Sequence, residues 1–223
     1  MYRINKNIKF IYFDAGNVLF YKVTTEGENI ANELGFPPEQ YQDIVDKLVE
    51  QQGKELTKQF YQLSTLEEET EYLNGLHRRM CEYLGIDSDD ELIEKLTKYR
   101  THGDYKLHKG VKENLKRLSK NYKLGVLSNS LPSRRHHELK IDDIDKYFDQ
   151  IIISSEVGVR KPNKEIYEIA IEKSGFKKDE ILYIDDKESY LNGALDAGIQ
   201  NVVLYKTESK KYPSIDSMVN LIE

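Results

Sequence analysis

The sequence predicts an α/β protein: a mostly parallel sheet with a block of helices inserted after its first strand. Three observations predict it. From Leu107 onward short apolar runs alternate with amphipathic stretches, one strand-like run stands alone at Ile8 to Phe13, and from about Tyr21 to Asp104 the strand signal vanishes.

The run "IKFIYF" is β-branched and aromatic and is bounded by turn residues, which is the pattern of a buried strand. In the block that follows, apolar residues recur at three- and four-residue spacing. Ile44 and Leu48, then Leu73, Leu76, Met80 and Leu84, then Leu92, Ile93 and Leu96 each mark one helix face. Ser64 with Glu67, and Thr65 with Glu68, both fit a capping box, while "LGFPPEQ" and "LGIDSDD" read as a helix end, a turn and a new helix start. Beyond Leu107 come helix "VKENLKRLSK", strand "YKLGVLS", strand "YFDQIIISS", helix "PNKEIYEIAIEKSG", strand "DEILYIDD", helix "SYLNGALDAGI" and a last strand "NVVLY". Strands alternating with helices of this length imply βαβ units. Residues 1–20 and 105–223 are therefore expected to form the sheet-bearing core, and 21–104 a helical domain over the carboxyl edge of the sheet. There is no internal repeat and no low-complexity linker.

Composition narrows the functional classes. A chain of 223 residues can bury a sizeable core, and 39% hydrophobic with 32% charged residues describes a globular protein with a charged surface. The net charge of -6 argues against nucleic acid as partner, because phosphate-backbone binding needs a concentrated basic face. The basic run Arg134-Arg135-His136-His137 is short enough to be a solvated helix start. The single cysteine, Cys81, lies on an apolar helical stripe, so a packed thiol and the reducing cytoplasm are expected. No run reaches the ~20 apolar residues of a membrane span, no signal peptide is expected, and no partner protein is evident.

Ligands of an open parallel sheet bind beyond the carboxyl ends of its strands. Here the first strand ends in Asp14, the second in Ser128-Asn129, the third leads to Arg160-Lys161-Pro162, and the fourth ends in Asp185-Asp186. Singly, each is ordinary turn or cap chemistry. Together, in this order and each at a strand end, they bring a carboxylate, a hydroxyl, an ammonium and an acidic pair to one edge.

The stretches "FDAGNVLF", "LHKGVKENLKRL", "LGVLSNS", "VGVRKPNKEIYEIA" and "YIDDKESYLNGALDAGI" resemble the successive motifs of the haloacid dehalogenase superfamily of hydrolases. The resemblance covers nearly the whole chain. It implies a Rossmann-like, doubly wound parallel sheet in three α/β/α layers, with an inserted α-helical cap domain. It also implies Mg²⁺-dependent hydrolysis of a small phosphorylated metabolite, a sugar phosphate in some relatives, through an aspartyl-phosphate. Asp14 is then the nucleophile, a carboxylate expected to be ionised at pH 7 without help. Lys161 neutralises the transferring charge. Ser128, Asn129 and the turn through Asn17 hold phosphoryl oxygens. Asp14, the carbonyl of Gly16, Asp186 and less directly Asp185 hold the Mg²⁺.

Two positions depart from the family's pattern. Phosphatases resembling this family carry a second Asp two positions after the nucleophile, where this chain has Gly16, and Asp or Asn where it has Tyr190. General acid-base catalysis is worth ~10²–10⁴-fold, so the first departure keeps two alternatives open. One is a 2-haloacid dehalogenase using Asp14 as nucleophile, and the other is a non-catalytic binding module. The Asp185-Asp186 pair favours the phosphatase, since adjacent buried carboxylates are costly without a cation. Specificity residues are sought in the helical block, first at Phe60, Tyr61 and Gln62 and next at Tyr21 and Lys22. His77, His102, His108, His136 and His137 show no metal-ligand spacing.

Overall fold

A computed structural model describes residues 1–52, 59–60, 62–134 and 138–222. Its central feature is a six-stranded parallel sheet in the order β6-β5-β2-β7-β8-β9. The strands are β2 (Phe10–Phe13), β5 (Lys123–Ser128), β6 (Gln150–Ile153), β7 (Ile181–Asp185), β8 (Asn201–Tyr205) and β9 (Ser214–Ile215). β2 is central: the chain lays β5 and β6 to one side of it, then returns to lay β7 and β8 on the other, the doubly wound arrangement expected.

All four residues of β2 are buried, as its unbroken apolar run requires of a strand covered on both faces. Helices α5 (Val111–Leu118), α6 (Lys164–Ser174) and α7 (Glu188–Asp196) connect the strands. Their apolar faces pack on the sheet; Ile166, Tyr167, Ala170, Leu191 and Ala194 share one core cluster with Phe10, Tyr12, Ile181 and Tyr183.

The chain resolves into two compact units. One holds the sheet and comprises Met1–Tyr21, Lys106–Ser130 and the chain through 138–222. The other is helical and comprises Lys22–Tyr105 with the turn Pro132–Arg134, a segment that lies outside residues 21–104. Its helices are α1 (Glu26–Leu34), α2 (Tyr41–Gln52), α3 (Leu66–Leu84) and α4 (Asp90–Thr101). Ile30, Ile44, Leu48, Leu76, Met80, Ile93 and Leu96 form its core, and Cys81 is buried among them. Of the two capping boxes the sequence permits, Thr65 with Glu68 forms: the Thr65 hydroxyl accepts from the Glu68 N–H and the Glu68 carboxylate accepts from the Thr65 N–H.

Short strands escape the sequence pattern. β1 (Tyr2–Arg3) pairs with β10 (Leu221–Ile222), β3 (Phe20–Lys22) pairs with β4 (Tyr105–Leu107), and β9 follows the strand expected to be last. Two or three residues carry no readable alternation. No described helix is long and apolar enough to cross a membrane.

Candidate active site

Strand register assembles the site. Phe13 pairs with Val126 on one side and Ile184 on the other, so the following residues, Asp14 and Asp185, stand side by side, and Ser128 ends the neighbouring strand. Ser128 is buried. The Asp14 N–H donates to the Ile184 carbonyl at 2.8 Å, extending the ladder to the carboxylate itself. Lys161 reaches in from the loop after β6 and is 1% exposed. Its ammonium donates to Asp14 Oδ1 at 2.6 Å, to Asp185 Oδ2 at 2.7 Å and to the Tyr183 hydroxyl at 3.1 Å. Three protons thus meet three acceptors.

The loop that presents Lys161 is clamped. Asn129 Oδ1 accepts from the Lys161 N–H and Asn129 Nδ2 donates to the Lys161 carbonyl, both at 2.9 Å. With a second Nδ2 proton directed at the Tyr190 hydroxyl, the Asn129 side chain is spoken for, and what it can offer an anion is its backbone N–H. Gly193 lets α7 approach this loop, since a Cβ there would come within 2.4 Å of the Pro162 carbonyl oxygen.

The turn after Asp14 works differently from the sequence expectation for Asn17. Asn17 has φ 63°, and its N–H donates to the Phe20 carbonyl at 2.7 Å. Its Nδ2 donates to Asp186 Oδ2 at 3.0 Å. Asn17 therefore orients an acid, and its backbone N–H is spent inside the turn. Asn is one of the few side-chain-bearing residues that tolerate the left-handed region. Gly16 does not use that region, and a Cβ added there meets nothing within 4 Å among the described residues.

One carboxylate oxygen from each of Asp14, Asp185 and Asp186 lies within 4.8 Å of the others. The acid pair divides its work. Asp185 is fully buried; its Oδ2 takes protons from Lys161 and the Tyr183 hydroxyl, and its Oδ1 accepts from the Lys187 N–H at 3.0 Å. Asp186 is half-buried. Fully ionised, three carboxylates against one ammonium leave surplus negative charge. That donor set suits a hard divalent cation, which takes carboxylate oxygens and removes the surplus.

Electrostatics correct one expectation. Burial pushes the Asp14 carboxyl up to about 7, with Lys161 pulling it down and Asp185 pushing it further up. With Lys161 already beside it, Asp14 is thus only partly ionised near neutral pH, and a cation held among the three carboxylates would favour its ionised form. Burial disfavours the charged Lys161, but Asp14 and Asp185 outweigh that and raise it to about 12, so it stays an ammonium. Burial also raises Asp186.

Two aromatic residues stand at the site without being candidate site residues in the sequence. Tyr183 reads as strand core and Tyr190 as a gap in the motif, yet the Tyr190 ring centroid lies 4.8 Å from Lys161 Nζ. In the helical unit, Phe60 packs on Tyr72 and under Arg100, Lys22 pairs with Glu26, and Gln62 is exposed. Tyr21 stacks on His108. Tyr61 and the run 135–137 lie outside the described residues, as does the side chain of Arg134.

Known proteins with related sequences include phosphatases. The chain is 33% identical over 149 residues to the phosphorylated carbohydrates phosphatase of Thermotoga maritima, covering 59% of this chain and 68% of that protein. It is 33% identical over 87 residues to the glyceraldehyde 3-phosphate phosphatase of Methanothermobacter thermautotrophicus, covering 39% of this chain and 38% of that protein. Across such relatives the chain spans only about a third to two thirds of their length. The 2-haloacid dehalogenase structure from Pseudomonas syringae pv. Tomato superposes with a TM-score of 0.67 over 95% of both chains at 19% identity, a likeness of fold. A family model described as haloacid dehalogenase-like hydrolase matches residues 29–204, and with the parallel sheet and the strand-end residues already in place, the chain belongs to that family.

Proposed function

We propose that the protein is a Mg²⁺-dependent phosphatase of small phosphorylated metabolites that works through an aspartyl-phosphate on Asp14. The observation that carries this reading is the buried Asp14–Lys161 pair set against two further carboxylates. Such a cluster calls for a cation, and a nucleophile that burial tends to neutralise calls for a counter-charge. Relatives named for phosphorylated carbohydrates and for glyceraldehyde 3-phosphate support a small substrate.

In this reading an Asp14 oxygen attacks phosphorus in line with the departing alcohol. The Asp14–phosphorus bond forms as the phosphorus–alcohol bond breaks, and the alcohol oxygen takes a proton from water. A second water then attacks phosphorus, giving a proton to the hydroxide the first one left, and the bond from phosphorus to Asp14 breaks to free the carboxylate and release phosphate. Lys161 keeps Asp14 ionised and faces the charge that develops on the phosphoryl oxygens, which Ser128 and the Asn129 N–H also hold. Asp14, Asp186 and the Gly16 carbonyl would hold Mg²⁺, with Asp185 behind them; when bound, the ion supplies charge neutralisation and polarises the phosphoryl group. The helical unit, on this reading a cap, would supply specificity.

A second reading, 2-haloacid dehalogenase, is favoured by Gly16 standing where an acid is expected. One panel separates the two. Phosphate and halide release are measured from phosphorylated sugars, an aryl phosphate and a 2-haloacid, each with Mg²⁺ or a chelator. Metal-dependent phosphate release that disappears in Asp14→Asn is the expected result. Halide release unaffected by chelator establishes the dehalogenase, and neither product establishes a binding module.

A further inference from the structure

Position 190 follows Asp186 by one helical turn, inside α7. The tyrosine there touches the candidate site at three points. Its ring lies over Lys161 Nζ at 4.8 Å, within cation–π range. Its hydroxyl accepts from Asn129 Nδ2 at 3.3 Å, the same amide that clamps the Lys161 backbone. Its carbonyl accepts from the Tyr167 hydroxyl at 2.7 Å, which fixes the start of α7 against α6.

A buried lysine has a flexible four-carbon stem, and its aim must be fixed from outside. Asp14, Asp185 and the Tyr183 hydroxyl already take the three ammonium protons. A carboxylate at position 190 would compete with Asp14 for one of them and add a further negative charge to a cluster that already has a surplus. An aromatic face attracts the cation without taking a proton or adding charge.

We propose that Tyr190 is a positioning residue for Lys161, its ring seating the ammonium against Asp14 and its hydroxyl tying that seat to the Asn129 clamp. Only its catalytic consequence rests on the phosphatase reading; the seat itself does not.

The test compares wild type with Tyr190→Phe, which keeps the ring, and Tyr190→Leu, which removes it. NMR of the Lys161 ε-methylene protons reports the seat directly, because a ring this close shifts them upfield. The shift is expected in wild type and in Tyr190→Phe and is lost in Tyr190→Leu. With an aryl phosphate, kcat in Tyr190→Leu is expected to fall roughly fivefold to thirtyfold, the range a desolvated cation–π contact supports, with KM within about twofold of wild type and Mn²⁺ affinity kept. Tyr190→Phe is expected within about threefold of wild type. Absence of the upfield shift in wild type overturns the proposal, as does a Tyr190→Phe variant as impaired as Tyr190→Leu. Should Tyr190→Leu fail to fold, the wild-type shift and the Tyr190→Phe kinetics decide by the same criteria. If no phosphorylated compound is hydrolysed but the shift follows the ring, the phosphatase reading fails and the positioning role stands.

Discussion

The two units bury polar side chains in contrasting ways. In the sheet unit, Asp14, Lys161 and Asp185 are charged groups set against one another at strand ends, and burial drives the Asp14 pKa upward. In the helical unit, Glu69, His77, Thr97 and Thr101 are as deeply buried, but their hydrogen-bond partners are neutral. Glu69 accepts from the N–H and the hydroxyl of Ser133 at 2.7 and 2.8 Å. His77 Nδ1 meets the Thr97 hydroxyl at 3.0 Å, and that hydroxyl donates to Asn74 at 2.7 Å. Thr101 donates to the Thr97 carbonyl at 3.0 Å. Charge buried against charge costs stability and points to chemistry, whereas polar groups buried against satisfied neutral partners stabilise a fold. Substitutions in the first set should therefore change rate, and substitutions in the second should change stability.

The largest break in that contrast is expected at Lys161. On the phosphatase reading, Lys161→Ala removes a charge that faces the transferring phosphoryl group, and kcat should fall about 10²–10³-fold, as for loss of one transition-state donor. Metal affinity, measured by titration with Mn²⁺, should be retained. Loss of metal binding along with activity would place Lys161 in the architecture of the cation site.

In the helical unit the largest effect is expected from acid. Thr97 donates onward to Asn74, so His77 donates through Nδ1, and among the described residues its buried Nε2 has no partner. Burial, helped by Arg100, lowers its pKa to about 4. The unfolded chain takes up a proton near pH 6.5 and the folded one does not until about 4. Stability present above pH 6.5 is therefore lost as pH falls through that window, by up to about 3 kcal/mol. Denaturant melts between pH 7 and 4 measure it, and His77→Leu should flatten the acid limb.

Glu69→Ala should come next, costing about 2–3 kcal/mol because two charge-assisted hydrogen bonds are lost at a buried site. Thermal melts with kcat measured alongside would show stability moving more than rate.

The smallest effect is expected at Gly16. The open space and ordinary φ there mean that Gly16→Asp should fold normally. If the position is a vacant acid site, alkyl phosphates should gain roughly tenfold in kcat, below the ~10²–10⁴-fold range of a mature general acid, and aryl phosphates less. Equal rates for both substrate types would show that protonation of the leaving group is already provided for.

What the sequence revealed and what it hid follow the same division. Asp14, Ser128 and the Asp185-Asp186 pair are legible because each interrupts an apolar run at a strand end, where a polar residue needs a reason. Tyr183 is not, because an aromatic residue in a strand reads as packing; Tyr190 shows in the sequence only as a departure from the family's pattern, and three-dimensional placement brings its ring to Lys161. Asn17 reads as an anion contact because its turn follows Asp14; its positive φ and its bond to Asp186 depend on backbone geometry that spacing does not encode. The ionisation of Asp14 depends on burial, which a reference pKa omits. Strands of two or three residues, such as β3 and β4, are too short to show a period.

The Glu69–Ser133 contact bears on how such a protein could be rebuilt. Pro132–Arg134 follows Ser128-Asn129 at the end of β5 in sequence, yet it clusters with the helices. A chimera that exchanges the helical insertion by cutting only at its two obvious joints would import a helix whose buried acid has lost its turn, or strand this turn beside a foreign helix. A working graft has two segments, and the second is a few residues of the host's own loop that must be exchanged along with the insert.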